Sequence, residues 1–234
     1  MMNLKQFYTR VGDKVSFTRE QASSFAKSMA SDFNPIHDVT AKRFCVPGDL
    51  LFAVALTELG ACKSMRFEFE SMVTEKSLIT MPGGLAAETS LLDQKDKPQI
   101  TLHCSGNKTE EAVFIQQLVG EYVRFSGRTF PEILVGLMKD NSVMVNPARP
   151  LVIYKSMSVN IDQFSQGQLR LEFASASMDV DGKKGSVKLG FDLFVEGEKI
   201  GEGTKEMVVS GLRPYEQTAI DQIISTYNAS KAAY

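Results

Sequence analysis

Apolar residues occupy every second position in two long stretches near the C-terminal end of this chain. One stretch contains Leu169, Leu171 and Phe173, and the other runs from Val187 to Val195. This period of two predicts strands that bury one face and expose the other, as in antiparallel sheets. Glycine-containing turns at 181–182 and at 197 predict hairpins between these strands. We therefore expect the C-terminal half to be mainly antiparallel sheet.

The same criteria predict strands and helices along the whole chain. Thr18 and Gln21 form a capping-box pattern, which predicts a helix over 22–30 that ends before Pro35. A second helix is expected from Pro47, and its residues 50–56 are apolar on all sides, which favours a central, enclosed position. A second capping box at 129 and 132 predicts a short core helix at 133–138, and 214–234 is predicted to be helical. Strands are expected at 15–17, 65–69, 78–81, 87–92, 100–104, 112–125, 151–159, 169–176, 186–196 and 199–210.

Helices followed by strands therefore occur twice, without a low-complexity linker between the two halves. This order predicts an α+β fold. We expect an N-terminal domain over 1–125 and a C-terminal domain over 126–234.

Composition limits the classes of function. The chain has 234 residues, 43% of them hydrophobic, and a formal charge of -2 without a strong basic run, so we expect no nucleic-acid partner. No apolar segment is long enough for a signal core or a membrane span, and we expect a cytoplasmic protein without a membrane partner. Three cysteines without a Cys-x-x-Cys pair predict buried thiols, with neither a disulfide framework nor a zinc site. No metal or organic cofactor is expected.

One short motif has the composition of a catalytic site. Asp32 and His37 lie five positions apart across Asn34 and Pro35, and the chain has only one other histidine. A carboxylate and an imidazole directed at one small volume can hold and polarise a water molecule. Gly48 follows at the expected start of the second helix, where a free backbone amide can stabilise negative charge on an oxygen. A glycine at this position lets a ligand approach the backbone closely.

This motif resembles that of the MaoC-like, or (R)-specific, enoyl-CoA hydratases. The resemblance implies a double hotdog fold, in which two antiparallel sheets each wrap a central helix. It implies hydration of 2-enoyl thioesters, or dehydration of (3R)-hydroxyacyl thioesters, of coenzyme A or acyl carrier protein. Asp32 and His37 match the catalytic pair, Asn34 matches the supporting asparagine, and Gly48 matches the amide that binds the thioester carbonyl.

Two alternatives remain open from the sequence. The segment between His37 and Pro47 is two residues shorter than in the hydratases, and Asp49 adds a carboxylate beside the expected carbonyl-binding amide. Both features favour a non-catalytic acyl-thioester binding or regulatory protein. A hotdog thioesterase is the other alternative, with Asp32 or Glu58 activating the water. The oligomeric state is expected to be a monomer or a homodimer.

Overall fold

A computed structural model describes residues 3–234 as a mixed α+β protein built on one ten-stranded antiparallel sheet. The N-terminal half contains β1 (Thr9–Val11), β2 (Lys14–Ser16), α1 (Arg19–Phe25), α2 (Gly48–Leu59), β3 (Ala61–Phe69), β4 (Leu78–Thr80), β5 (Glu88–Leu92) and β6 (Pro98–Thr109). The C-terminal half contains α3 (Ala112–Gly127), α4 (Leu134–Asp140), β7 (Val143–Met144), β8 (Leu151–Ile161), β9 (Leu169–Asp181), β10 (Lys184–Val195), β11 (Glu198–Ser210), β12 (Arg213–Pro214) and α5 (Gln217–Ala232).

The strand order of the large sheet contains a repeat. The order is β1-β2-β4-β5-β6-β3-β8-β11-β10-β9, and β12 pairs with β7 in a separate two-stranded sheet. The order β4-β5-β6-β3 in one half matches β9-β10-β11-β8 in the other, and β3 pairs with β8 at the junction. Instead of two separate sheets, the halves therefore share one continuous sheet.

The two long buried helices pack together on this sheet. Phe52 of α2 lies with its ring centroid 5.0 Å from that of Phe67 on β3 and 4.7 Å from that of Tyr122 on α3. The Tyr122 ring is 5.6 Å from that of Phe191 on β10. These aromatic contacts connect both halves of the sheet through both helices, and the predicted enclosed position of α2 is confirmed.

The predicted strand over 112–125 is wrong, because this segment is the helix α3. Phe114, Leu118 and Tyr122 recur every four residues and are all buried, which is a helical rather than a strand period. The expected boundary between 125 and 126 falls inside α3.

The predicted short helix over 133–138 is confirmed as α4, but the capping box predicted at its start is wrong. The Thr129 hydroxyl donates to the Ser126 carbonyl at 2.7 Å instead of accepting from an amide, and α4 begins only at Leu134. The predicted C-terminal helix is confirmed as α5. None of the helices described in residues 3–234 is both long and apolar enough to cross a membrane.

The cysteine prediction was wrong for two of the three residues. Cys62 on β3 and Cys104 on the neighbouring β6 form a disulfide, with their Cα atoms 5.9 Å apart. They are separated by 42 positions in sequence, and only the pairing of β3 with β6 brings them together. Cys45 is the free cysteine.

Candidate active site

The end of the first helix fixes the position of Asp32. The capping box at Thr18 is confirmed at the start of α1, which continues as a π-helical turn to Ala30. Ser31 then adopts a left-handed backbone conformation with φ of 55°, and the Asp32 amide donates to the Ala26 carbonyl at 2.8 Å. This closure reverses the chain direction, so Asp32 begins a new loop immediately after a buried helix.

Close packing against α3 also holds this turn in place. A Cβ atom added to Gly127, the last residue of α3, would lie 1.7 Å from the Ala30 carbonyl oxygen. Only glycine therefore allows the end of α3 to approach the residues that precede Asp32.

Asn34 shapes the loop through its side chain. The backbone amide of Asn34 donates to Asp32 Oδ1 at 2.9 Å. The side-chain oxygen Oδ1 of Asn34 accepts from the backbone amide of Ile36 at 3.2 Å. Such side-chain-to-backbone bonds are typical of Asn and Asp in turns. Asn34 therefore orients the loop, and the backbone amide of this same residue holds one Asp32 oxygen.

His37 presents one defined ring nitrogen to Asp32. Its Nδ1 lies 2.7 Å from the Cys45 carbonyl oxygen, which can only accept, so Nδ1 carries the hydrogen. Nε2 lies 3.7 Å from Asp32 Oδ2. This separation is too long for a direct hydrogen bond, but it suits two groups that share one water molecule.

The start of α2 provides free backbone amides. Leu50 and Leu51 both donate their amides to the Pro47 carbonyl, whereas in residues 3–234 the Gly48 and Asp49 amides have no hydrogen-bond acceptor. These two N–H groups lie at the positive end of a twelve-residue helix. They are suited to bind an oxygen that carries partial or full negative charge.

Gly48 is required here for a reason that differs from the sequence-based one. Glycine was expected to let a ligand approach the backbone, but a Cβ atom at this position would lie 2.5 Å from Cδ1 of Tyr154. The Tyr154 ring packs against that of Phe69, with centroids 4.3 Å apart. The aromatic ring therefore already occupies the space that a side chain at position 48 would need.

All four site residues that the sequence predicts line one cavity of about 740 Å³. Both halves of the chain contribute to its walls. The apolar part of the lining includes Phe33, Val46, Leu51, Phe69, Met72, Phe130, Leu134, Val152, Ile153 and Ile223. The volume and the mainly apolar walls are typical of small-molecule sites.

Helix α5 covers this cavity and contacts the Asp32 loop. The Tyr227 hydroxyl donates to the Ser31 carbonyl at 3.1 Å and accepts from the Phe33 amide at 3.2 Å. Burial raises the pKa of Tyr227 to about 12, so the hydroxyl keeps its proton at neutral pH. Tyr227 thus holds the peptide groups on both sides of Asp32.

Sequence reasoning missed a buried polar cluster at the same cavity, formed by Asp49, Ser126, Lys205 and Tyr154. Ser126 Oγ donates to Asp49 Oδ2 at 2.6 Å and accepts from Lys205 Nζ. The Lys205 ammonium lies 4.6 Å from the centroid of the Tyr154 ring. One signal was available, because Lys205 occupies a buried position in the alternating pattern of β11.

The Asp49 carboxylate does not cap its own helix, where it was expected to compete for the amides. Its Oδ2 is bound by Ser126, and its buried Oδ1 has no partner in residues 3–234. Burial raises the pKa of Asp49, while the nearby Lys205 charge and the Ser126 hydrogen bond oppose that rise. Asp49 is therefore bound by Ser126 and not by the amides at the start of its own helix.

Two other candidate residues lie outside the cavity. Glu58, near the end of α2, accepts from the Tyr8 hydroxyl and pairs with Arg10. His103 lies on the partly exposed face of β6, with Glu68 and Glu88 within 3.8 Å and 3.6 Å. Neither lines the cavity that contains Asp32.

Three solved structures are similar to this one over most of its length. One is an acyl-CoA thioesterase II, TesB2, from Mycobacterium marinum, with 7% sequence identity and a TM-score of 0.44. The alignment covers 92% of this chain and 100% of the thioesterase chain. A tesB protein from Mycobacterium avium subspecies paratuberculosis is 11% identical, with a TM-score of 0.43. The alignment covers 88% of this chain and 97% of the tesB chain. A MaoC-like dehydratase is 10% identical, with a TM-score of 0.43. The alignment covers 87% of this chain and 99% of the dehydratase chain.

No curated protein matches the chain by sequence. One family model matches residues 2–218, which is nearly the whole chain up to the first turn of α5. The chain therefore belongs to the family described as protein of unknown function (DUF3581).

Proposed function

We propose that this protein is a hydratase or dehydratase that acts on 2-enoyl and (3R)-hydroxyacyl thioesters of coenzyme A or acyl carrier protein. The observation that carries the proposal is that Asp32, His37, Gly48 and Asp49 line one largely apolar cavity, and that the last two have amides without an acceptor in residues 3–234. The motif resemblance to MaoC-like hydratases rests on the same residues. An apolar cavity of this size suits an acyl chain.

In the proposed reaction a water molecule lies between Asp32 Oδ2 and His37 Nε2. As the water oxygen bonds to C3 of the enoyl group, one of these two groups accepts its proton. The π electrons move towards the thioester carbonyl, whose oxygen becomes negatively charged. The amides of Gly48 and Asp49 stabilise this oxygen, and the group that took the proton from water delivers it to C2, which completes the hydration.

The fold that we propose for this function is a double hotdog. The repeated strand order, with one long buried helix before each set of four strands, supports two such units. Because α3 precedes the second set of strands, we propose that the second unit begins near 112 rather than at 126. In this arrangement one active site lies between the units, and the second unit supplies a wall of the cavity.

The test is a spectrophotometric assay of purified protein with crotonyl-CoA and longer trans-2-enoyl-CoA esters. We expect Asp32→Asn and His37→Ala to lower kcat by about 10²–10⁴-fold, since each removes one of the groups that activate the water. Matched controls are Asp38→Asn, at a partly exposed aspartate paired with Lys27, and His103→Ala. Absent turnover, or equal turnover in all variants, would contradict the proposal.

Thioester hydrolysis is a second candidate, because Asp32 can direct a water at a carbonyl carbon bound by the same amides. Glu58 is not part of this alternative, since it lies outside the cavity. Release of free thiol from saturated acyl-CoA, without hydration of enoyl-CoA, would favour the hydrolase. Saturable acyl-CoA binding without either reaction would favour a binding or regulatory protein.

A further inference from the structure

Lys205 is a buried cation at the wall of the cavity. It is 6% exposed and lies on β11, where its neighbours in the same phase, Gly203 and Met207, also face the interior. Its ammonium donates to Ser126 and lies over the Tyr154 ring. An ammonium has three donors, and in residues 3–234 only Ser126 accepts one of them.

One lysine of the same strand shows the usual arrangement, an ion pair at the surface. Lys199, also on β11, pairs with Asp192 and Glu202 on the surface. Lys205 has no carboxylate in direct contact within the described residues. Lysine is almost never buried without a partner, because removing an ammonium from water is costly. Lys205 is therefore unusual because it is buried and also lacks an ion pair within the described residues.

The acidic group of this cluster does not contact the ammonium directly. Asp49 is separated from Lys205 by the Ser126 hydroxyl, which bonds both groups. Burial raises the pKa of Asp49, which favours its neutral form. The cluster thus holds the ammonium in place and leaves it with unused donors.

Lys205 also lies close to the start of α2. The Tyr154 ring contacts the backbone at Gly48 on one side and lies beneath the Lys205 ammonium. Gly48 and Lys205 both line the cavity. The cavity wall therefore combines the positive end of a helix with a buried positive side chain, and both favour a negatively charged ligand atom.

We propose that Lys205 binds an anionic oxygen on the acyl portion of the thioester ligand. Two sources share this chemistry: the enolate oxygen formed at the thioester end of the acyl group, and a carboxylate carried by the acyl chain. Ser126, Asp49 and Tyr154 are the positioning residues that hold the ammonium. The inference deepens the proposed function and rests on the cavity binding an acyl thioester.

Ligand binding tests this inference without any requirement for turnover. Acetoacetyl-CoA probes the enolate, whose ultraviolet absorbance reports its fraction when bound, and butyryl-CoA is its neutral partner. Glutaryl-CoA probes the carboxylate, with pentanoyl-CoA as the neutral partner of equal chain length. The variants are Lys205→Met and Lys205→Arg, and Lys199→Met is the matched control on the same strand.

We expect wild type and Lys199→Met to favour one anionic ligand over its neutral partner by about tenfold or more, as for a charge-assisted hydrogen bond. Lys205→Met should lose this preference and keep its affinity for the neutral ester, while Lys205→Arg keeps part of the preference. The ligand pair that shows the effect identifies the source of the anionic oxygen.

Two results separate failure of this inference from failure of the proposed function. If wild type binds neutral and anionic esters equally, or if Lys205→Met keeps the preference, Lys205 does not bind an anionic oxygen, while the proposed function stands. If wild type binds none of the four esters, both fail. If Lys205→Met does not fold, Lys205→Arg decides the question: a reduced preference for the anionic ester supports the inference, and an unchanged preference overturns it.

Discussion

Replacing Gly48 by alanine tests the packing at the start of α2. The new methyl group would lie 2.5 Å from Cδ1 and 3.2 Å from Cε1 of Tyr154. The ring has little room to move, because it packs against Phe69 on one side and beneath Lys205 on another. Either Tyr154 or the first turn of α2 must therefore shift.

The magnitude follows from two opposing effects. Overpacking of a well-filled site typically costs about 1–3 kcal/mol. Alanine in place of glycine stabilises a helix interior by up to about 1 kcal/mol. A control at Gly136 in α4 separates these effects, because a Cβ atom there would meet nothing within 4 Å. We expect Gly136→Ala to be neutral or stabilising, and Gly48→Ala to be about 1–3 kcal/mol less stable than this control.

Urea denaturation followed by circular dichroism measures both variants. For a chain of this size, each kcal/mol corresponds to roughly 2–4 °C in Tm. A double-mutant cycle tests whether the contact with Tyr154 causes this loss of stability. In a Tyr154→Ala background, the overpacking cost of Gly48→Ala should disappear. The reasoning is refuted if Gly48→Ala is as stable as Gly136→Ala, or if its cost is the same with and without the Tyr154 ring.

Three further predictions concern groups around the cavity and in the sheet. Tyr227→Phe removes both hydrogen bonds to the Asp32 loop and should lower the free energy of unfolding by about 1–3 kcal/mol; Tyr234→Phe, at an exposed ring, should have little effect in the same urea titration. Reducing the Cys62–Cys104 disulfide should cost about 2–4 kcal/mol, because it frees a long loop in the unfolded chain; an unchanged Tm in reductant, measured in a Cys45→Ser background, would contradict this. Burial raises the pKa of Cys45 to about 12, so its thiolate is scarce below that pH. Iodoacetamide at pH 8 should therefore alkylate Cys45 far more slowly than free cysteine, and mass spectrometry measures the rate.

Sequence patterns were sufficient where a structure depends on neighbours within a few residues. The Thr18 capping box, the enclosed helix α2 and the strands β9 to β11 match their predicted types. The predicted burial of Phe173 on β9 is wrong, because this side chain is 53% exposed. The motif also identified Asp32 and His37, which lie on one short loop closed by local hydrogen bonds.

The same reasoning failed where two periods compete or where partners are distant. Within residues 112–125, a short window of apolar residues fits a strand. Over the whole segment the apolar residues recur every four positions, which matches the helix α3. The Cys62–Cys104 pair depends on the register of β3 with β6, which no local pattern contains.

The sequence by itself determined most of the elements of this protein, though not α3, and the loop that contains its candidate acid–base pair, because helical and strand periods and turn residues act over a few positions. Only the tertiary structure decided what surrounds that pair. Lys205 and Ser126 lie 79 positions apart, and Ser126 and Asp49 lie 77 apart. They meet because strand register and helix packing bring distant segments to one cavity, and the charge of that cavity follows from this packing.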